Sequence, residues 1–559
     1  VVDPLLGNLV EGPEESLLGV VGRHDDRNPF AMAHDPGIMT TAVRGTGTWR
    51  VAGLFALLAL VVVPVFPHFV SPNETSRWAL AAAIVEEGTL EVTTPARLLG
   101  PRMEDVAVVD GRLYSNKAPG VALVALPGYL AARPFVGPPS ARSLRPTLTA
   151  MRLAAATLPV LLLALVFARL APPEGRAEAL FSLLFATPLL AYSLLLFSHA
   201  LVATCLFGAW AALFGPSPRD AGRLRDFVAG ALLGLAVLSE YPAAIPALVL
   251  ALVAAWGAPV RVVRIVLGGL PFALALGAYN AACFGSPLQL SSGLEKDAAF
   301  RALAREGLFG IGLPRPAILG RLLLDPSKGL LVLTPLFLLL PAGLLEARRK
   351  LEPRAFLGLL LVPFAILLTY GGYPNWHGGF TVGPRYLVGA LPFLVFPLAF
   401  ARWGLVATAL AGASAAVVAL TTLVFPFVPP GFPLPWGSFA APLLAEGLVA
   451  PNLLHLVWKP LAVVVPFALV LGAAVAATGR RRLVPFLLGA VVWTAGGLAL
   501  PLLAPLSPPL VVQRGYVEEV YFTRGGALER SMPPGVPVPP RLRARQELEE
   551  TLPPSRWPF

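Results

Sequence analysis

Apolar blocks of about 16 to 25 residues recur along the chain between Val51 and Leu503, and each is long enough to cross a hydrocarbon layer. Inside lipid the backbone must satisfy its own hydrogen bonds, so these blocks are expected to be helices. Composition agrees with that constraint: 56% of the 559 residues are hydrophobic and 13% are charged. A soluble domain carries roughly twice that charged share. The expected fold is an all-α polytopic membrane protein with about 13 transmembrane helices. Pro (59) and Gly (53) fall inside the apolar runs and at their ends, which argues against a disordered tract.

The formal charge is +11, but the arginines form short clusters between apolar runs. That placement reads as inner-side anchoring, with no nucleic-acid surface. Cys205 and Cys283 each lie in or beside an apolar run, so neither a disulfide framework nor a thiolate metal site is expected. The first apolar run begins near Val51, too late for a cleavable signal peptide, and reads as a retained helix.

Arg44 and Arg50 precede that run and place residues 1–49 inside as a loose cytoplasmic arm. Residues 50–503 then form the membrane domain, with 67–117 as the first extracytoplasmic loop. Within the loop, Thr75 to Glu87 carries Trp78, Leu80, Ala81, Ile84 and Val85 at helical spacing, closed by Gly88. This predicts an interfacial helix. Ala118 to Phe135 reads as a second crossing, with Arg133, Arg142, Arg145 and Arg152 inside. Three runs follow at 151–170, 177–193 and 195–214, and three crossings there would break the alternation, so one run is expected to be re-entrant, peripheral or fused to its neighbour through the Pro188 region. Leu319 to Leu345 reads as one crossing. Residues 504–559 form a small extracytoplasmic tail, with a strand pair expected in VVQRGYVEEVYFTRGG and a charged helical piece at its end.

With this topology the unusual polar clusters mostly collect on one side, the extracytoplasmic one. Glu74 stands in the first turn of the predicted interfacial helix and is the candidate base, able to take a proton from an acceptor hydroxyl. Arg77 is its charged neighbour. Asp105 and Asp110 are second carboxylates, either of which could orient an acceptor; Val-Asp-Gly is also an ordinary hairpin turn. Glu74 and Asp105 are also candidates to hold a divalent cation, which the residues leave open. No other cofactor is implied. Lys117 begins an apolar helix and, with Tyr114 and Asn116, could meet a donor phosphate or simply snorkel to headgroups. Arg385 follows a Gly-rich loop on the outer side, where the positive-inside bias does not ask for it, and suits bidentate phosphate binding. Glu240, beside Tyr241 and Pro242, is costly at its depth and marks a site or an ion pair. Trp376, His377 and Tyr386 supply aromatic faces for a sugar or headgroup.

Taken together, these pieces resemble the bacterial glycosyltransferase family 39-like group. Its GT-C fold is shared by protein O-mannosyltransferases and by the aminoarabinose transferases that modify lipid A. The resemblance rests on NETSRWALAAAIVEEGTL (73–90), DGRLYSNKAPG (110–120) and GLAVLSEYPA (234–243). It also rests on YNAACFGSPL (279–288), GLFGIGLPRP (307–316), DPSKGLLVLTPLFLL (325–339) and WHGGFTVGPRYLVGALPFL (376–394). It covers roughly residues 50 to 400. It implies an integral membrane enzyme that moves one sugar from a polyprenyl-phosphate donor, with inversion, to a lipid, glycan or protein acceptor. The family's first-loop acid falls on Glu74 and its second loop acid on Asp105. Tail residues 504–559 carry no such match.

Two rival readings differ in kind. A lipid or sugar-lipid flippase would need polar residues along its helix interiors and a repeated architecture, and no internal repeat stands out. A non-catalytic membrane scaffold would have no need for so many charges beside its helix ends.

Overall fold

The computed structural model describes residues 46–521, apart from 65, 67–70, 100–102, 141–142, 217–221 and 308–309. The arm before residue 46 and the charged piece of the tail after 521 lie outside the described residues. Within them the chain is helical almost throughout, with one two-stranded hairpin. Six helices are long and apolar enough to cross a membrane: Leu144–Leu170, Val260–Phe284, Pro353–Gly371, Leu405–Val424, Lys459–Thr478 and Arg480–Leu503. Shorter apolar helices include Thr46–Val62, Ser198–Phe214 and Arg385–Phe400. The chain is a multi-pass membrane protein. Leucines and valines on the outer side of Val260–Phe284, such as Val263, Leu270 and Leu274, are exposed as lipid contact requires.

Small residues bring several of these helices together. A β-carbon at Gly230 would overlap the Ile265 carbonyl, and one at Gly268 would overlap the Phe227 carbonyl. The same reciprocal contact joins Gly412 to Phe486 and Gly489 to Ala409. Apolar surface gains nothing by leaving lipid for another helix, so close van der Waals approach is what holds such pairs.

The Pro72–Glu87 helix follows the first helix and ends at Gly88, whose positive φ of 65° caps it. Every residue from Glu74 to Ala83 is buried, so the helix is covered on all faces by protein, where the sequence pattern suggested a one-sided interfacial helix. Its chief cover is the Gly120–Val136 helix. Tyr129 there donates to Glu86 (2.9 Å), and Arg133 Nη2 donates to the same carboxylate (2.9 Å).

That packing corrects the expected second crossing at 118–135. Arg145, after this helix, donates its Nε to the Phe66 carbonyl at 2.7 Å, just beyond the end of the first helix. Residues 133–140 and 143–152 therefore stand at the same end of the bundle as the Pro72–Glu87 helix. The apolar run packs along a neighbouring helix and does not return the chain through the membrane. Removing this crossing restores the alternation that the sequence could not close. Leu144–Leu170 runs away from Glu74, and a helix broken at Thr187–Pro188, Arg176–Phe185 with Leu189–Tyr192, runs back to it. Ser198–Phe214 then leaves again.

Two further expectations change. The Leu319–Leu345 run is interrupted at Asp325–Gly329, where the Asp325 carboxylate accepts from the Ser327 and Lys328 amides. Pro508–Tyr521 is a helix, so the strand pair expected across 511–526 does not form over its described part. Val512 and Val517 are buried, and Arg514 bonds Glu446 at 2.9 Å, which fastens this segment to the 426–456 loop. Tertiary packing there overrides the strand preference of valine and tyrosine.

Candidate active site

Glu74 is fully buried and fully engaged. Arg152 donates Nε to one carboxylate oxygen (2.7 Å) and Nη2 to the other (2.6 Å), and the Leu196 amide adds a third bond at 2.8 Å. Arg152 also donates to the Pro64 carbonyl. This is a bidentate, charge-assisted pair sealed from solvent. In this arrangement the Glu74 carboxylate, the candidate base of the sequence reading, has no exposed surface and both its oxygens are held by a guanidinium. Among the described residues no three His, Cys, Asp or Glu converge as a metal site.

Asp105, in contrast to Glu74, stays reachable. Its side chain is 21% exposed and pairs with Lys117 at 3.0 Å. The hairpin Val106–Val109 and Arg112–Ser115 fixes both partners, since Asp105 precedes its first strand and Lys117 follows its second. Glu295 is bridged to the same hairpin opposite Ala107, and the Lys296 amide donates to Val106 at 2.8 Å. Burial raises the Glu295 carboxyl, Lys117 lowers it and Asp105 raises it, so two carboxylates flank one ammonium. Asp110 and Gly111, at φ 49° and 78°, form the hairpin turn. Asp110 is exposed there, so the structure gives it the turn role and does not bring it into the cluster. Tyr114 is spent on packing, edge-on to Phe284 at 6.1 Å between ring centres. Asn116 is buried, with its carbonyl accepting from Ser291 at 2.8 Å.

A second group lies at the break after Ser239. The Glu240 carboxylate accepts from Ser198 (2.8 Å) and from the Tyr370 hydroxyl, and His199 Nδ1 stands 3.0 Å away. Tyr370 stacks on Tyr386 at 4.6 Å. Tyr241 opens the next helical turn beside Glu240, with its hydroxyl buried. His199, Glu240, Tyr370 and Tyr386 line a cavity of 20 Å³, room for about one water.

Tyr386 links this group to Arg385. The Arg385 guanidinium lies over the Tyr386 ring at 4.7 Å and donates to its hydroxyl at 2.8 Å. Its Nε is buried without a partner, and no carboxylate pairs with it among the described residues. Gly378 makes room for this side chain: a β-carbon there would come within 2.8 Å of Arg385 Cδ and Nε, and φ is +68°. Lys328 rivets the Gly-rich loop in place, donating to the carbonyls of Gly379 (3.2 Å), Val428 (3.1 Å) and Thr381. His377 Nδ1 accepts the Gly379 amide at 3.0 Å, and burial, then Lys328 and Arg385, lower its pKa. Trp376 lies under Arg321 at 5.7 Å.

Arg77 ties the two groups together. Burial pushes its guanidinium down to about 10; Glu240 and Asp105 oppose that shift, and Arg385 adds to it. All three thus lie within electrostatic reach of Arg77. The structure brings together Arg77, Asp105, Asn116, Lys117, Glu240, Arg385 and Tyr386. It adds Arg152, Ser198, His199, Glu295, Lys328 and Tyr370, which sequence reasoning did not assign. Their shared signal is a polar side chain inside or at the end of an apolar helix, and their partners are distant in sequence.

No family model matches the chain, and no curated protein matches it. Among solved structures it is similar to ArnT from Cupriavidus metallidurans bound to undecaprenyl phosphate. That likeness has 16% identity and a TM-score of 0.47, over 86% of this chain and 81% of that one. The Archaeoglobus fulgidus oligosaccharyltransferase AglB, in complex with an inhibitory peptide and a dolichol-phosphate, is 15% identical with a TM-score of 0.36, covering 91% of this chain and 61% of that one. The arabinosyltransferase EmbB from Mycobacterium smegmatis is 14% identical with a TM-score of 0.30, covering 87% of this chain and 43% of that one. These are distant likenesses, and the chemistry of the site is decided by its own geometry.

Proposed function

We propose that this protein is a GT-C glycosyltransferase that moves one sugar, with inversion, from a polyprenyl-phosphate donor to a lipid, glycan or protein acceptor. The site would open at the extracytoplasmic face of the bacterial plasma membrane. The observation that carries this reading is Arg385, a largely buried guanidinium without a carboxylate partner, held by Tyr386 at the head of an apolar helix. An unpaired cation in such surroundings is costly, and a phosphate would complete it. Beyond Arg385 the same helix turns Leu387, Ala390, Phe393 and Leu394 into an apolar cavity of 230 Å³, which suits a prenyl tail.

In the proposed step Asp105 takes the proton of the acceptor hydroxyl or amine. The acceptor atom forms its bond to the sugar's C1 while the C1–O bond to phosphate breaks. The electron pair leaves on the phosphate, toward Arg385 with Lys117 assisting, where developing charge is stabilised most. Lys117 also holds Asp105 in place through their ion pair. Tyr386 positions Arg385, and Glu240 positions Tyr386 through Tyr370. Trp376 and His377 border the loop beside this site and would face the sugar.

The test uses purified full-length protein in nanodiscs with radiolabelled polyprenyl-phosphate sugars and a membrane extract as acceptor. Label should move to the acceptor, and Asp105→Asn should lose transfer while still binding farnesyl phosphate. Wild-type transfer in Asp105→Asn would overturn the base assignment, and no transfer from any donor would overturn the enzyme reading.

A further inference from the structure

Lys328 is 1% exposed, and its ammonium is held by oxygens of the chain. It donates to the carbonyls of Gly379 (3.2 Å), Val428 (3.1 Å) and Thr381, and stands 3.3 Å from the Thr381 hydroxyl. Its three protons are therefore taken, and none is free for a ligand. One side chain thus fastens three stretches that are remote in sequence: the break at Asp325–Gly329, the loop at 377–383 and the segment at Val428. That loop leans on Arg385. A β-carbon at Gly378 would come within 2.8 to 2.9 Å of Arg385 Cγ, Cδ and Nε. The Gly379 carbonyl that Lys328 holds is one residue from this contact. Gly378, Gly379 and Gly383 all stand at positive φ, so the loop has few side chains to fix itself and depends on such anchors. Its far end has another, the Tyr192 hydroxyl on the Val382 carbonyl at 3.1 Å.

We infer that Lys328 is a positioning residue for the phosphate arm: by anchoring the 377–383 loop it sets the stem of Arg385 and so the direction of its guanidinium. This rests on the reading of Arg385 as the group that meets the donor phosphate. Tyr386 holds the guanidinium by its ring and hydroxyl, and the loop confines the stem behind it. A long side chain that must be ordered when the ligand arrives loses affinity, and a donor aimed in advance does not. Burying an ammonium is a costly way to brace a fold, since apolar packing of the same volume serves as well. What apolar packing lacks is direction. Charge-assisted bonds from one nitrogen to several carbonyls fix where each carbonyl stands.

The test measures binding of farnesyl phosphate, and of farnesol, which has the same tail and no charge, to the full-length protein in nanodiscs. Lys328→Met should weaken farnesyl phosphate by about tenfold, as for one misaimed charged hydrogen bond, and leave farnesol unchanged. Gly378→Ala presses on the Arg385 stem with Lys328 still in place, and should give the same pattern. The exposed-turn variant Asp110→Asn serves as control, and thermal unfolding of each variant shows that the fold is intact. Equal loss of both ligands, or wild-type binding of farnesyl phosphate in Lys328→Met or Gly378→Ala, would overturn the inference. If Lys328→Met unfolds, Lys328→Gln, which keeps two donors, decides by the same comparison. Phosphate-selective loss in a protein that transfers no sugar would sink the proposed reaction and leave the positioning role standing. Sugar transfer with phosphate binding independent of Lys328 would do the reverse.

Discussion

Glu74 and Arg77 sit one turn apart on the same buried helix, yet they belong to opposite kinds of electrostatics. Glu74 is closed: Arg152 and the Leu196 amide take up its charge, and no ligand can enter. Arg77, like Arg385, is open: among the described residues its hydrogen bonds go to neutral oxygens. The first arrangement pins the Pro72–Glu87 helix to Leu144–Leu170 and to the bend before Ser198. The second leaves a cationic gap beside that pin. A polar residue in a membrane protein is thus no single signal. Burial with a matched partner builds the frame, and burial without one marks where something else must bind.

The largest effect should come from breaking the closed pair. Arg152→Met strands a buried carboxylate and should cost about 3–5 kcal/mol of stability. Thermal unfolding in nanodiscs would show it, and Arg152→Met combined with Glu74→Gln should recover most of the loss. A stable, active Arg152→Met protein would erase the contrast. Next comes the open side. Arg385→Ala should lower transfer by about a hundredfold, with unfolding close to wild type. A large fall in stability instead would move Arg385 to the structural class. Tyr370→Phe removes one donor from Glu240 and loosens the support under Tyr386, for a fall of about tenfold in transfer. Wild-type transfer there would detach Glu240 from the anion site. The smallest effect is expected at Asp110→Asn, within about 0.5 kcal/mol in stability and with little change in transfer, since that side chain only shapes an exposed turn.

Much of the frame was legible because lipid imposes a length on every apolar run. The exception is instructive. Residues 120–136 have the hydropathy of a span, but their buried face packs on the Leu144–Leu170 and Pro72–Glu87 helices, and hydropathy cannot tell protein from lipid. Glu240 could be flagged from sequence because a charge is expensive at its depth, and Arg385 because the positive-inside bias does not ask for it on the outer side. Glu74 drew attention from its place in the first turn of the predicted helix, but its partner lies 78 residues away, so closed and open charges looked alike. Lys328 stands in DPSKG, which lacks the glycine spacing of a phosphate loop. Its real role depends on carbonyls 51 to 100 residues downstream, which no local motif could display.

The reciprocal glycine contacts at Gly230, Gly268, Gly412 and Gly489 bear on how the molecule is made. Helices that gain nothing from escaping water can enter the bilayer one by one and dock later. A methyl group at Gly412 should therefore leave insertion and cellular abundance unchanged, and yield a protein whose last helices remain apart and readily cut by protease. Its defect would be one of assembly after insertion.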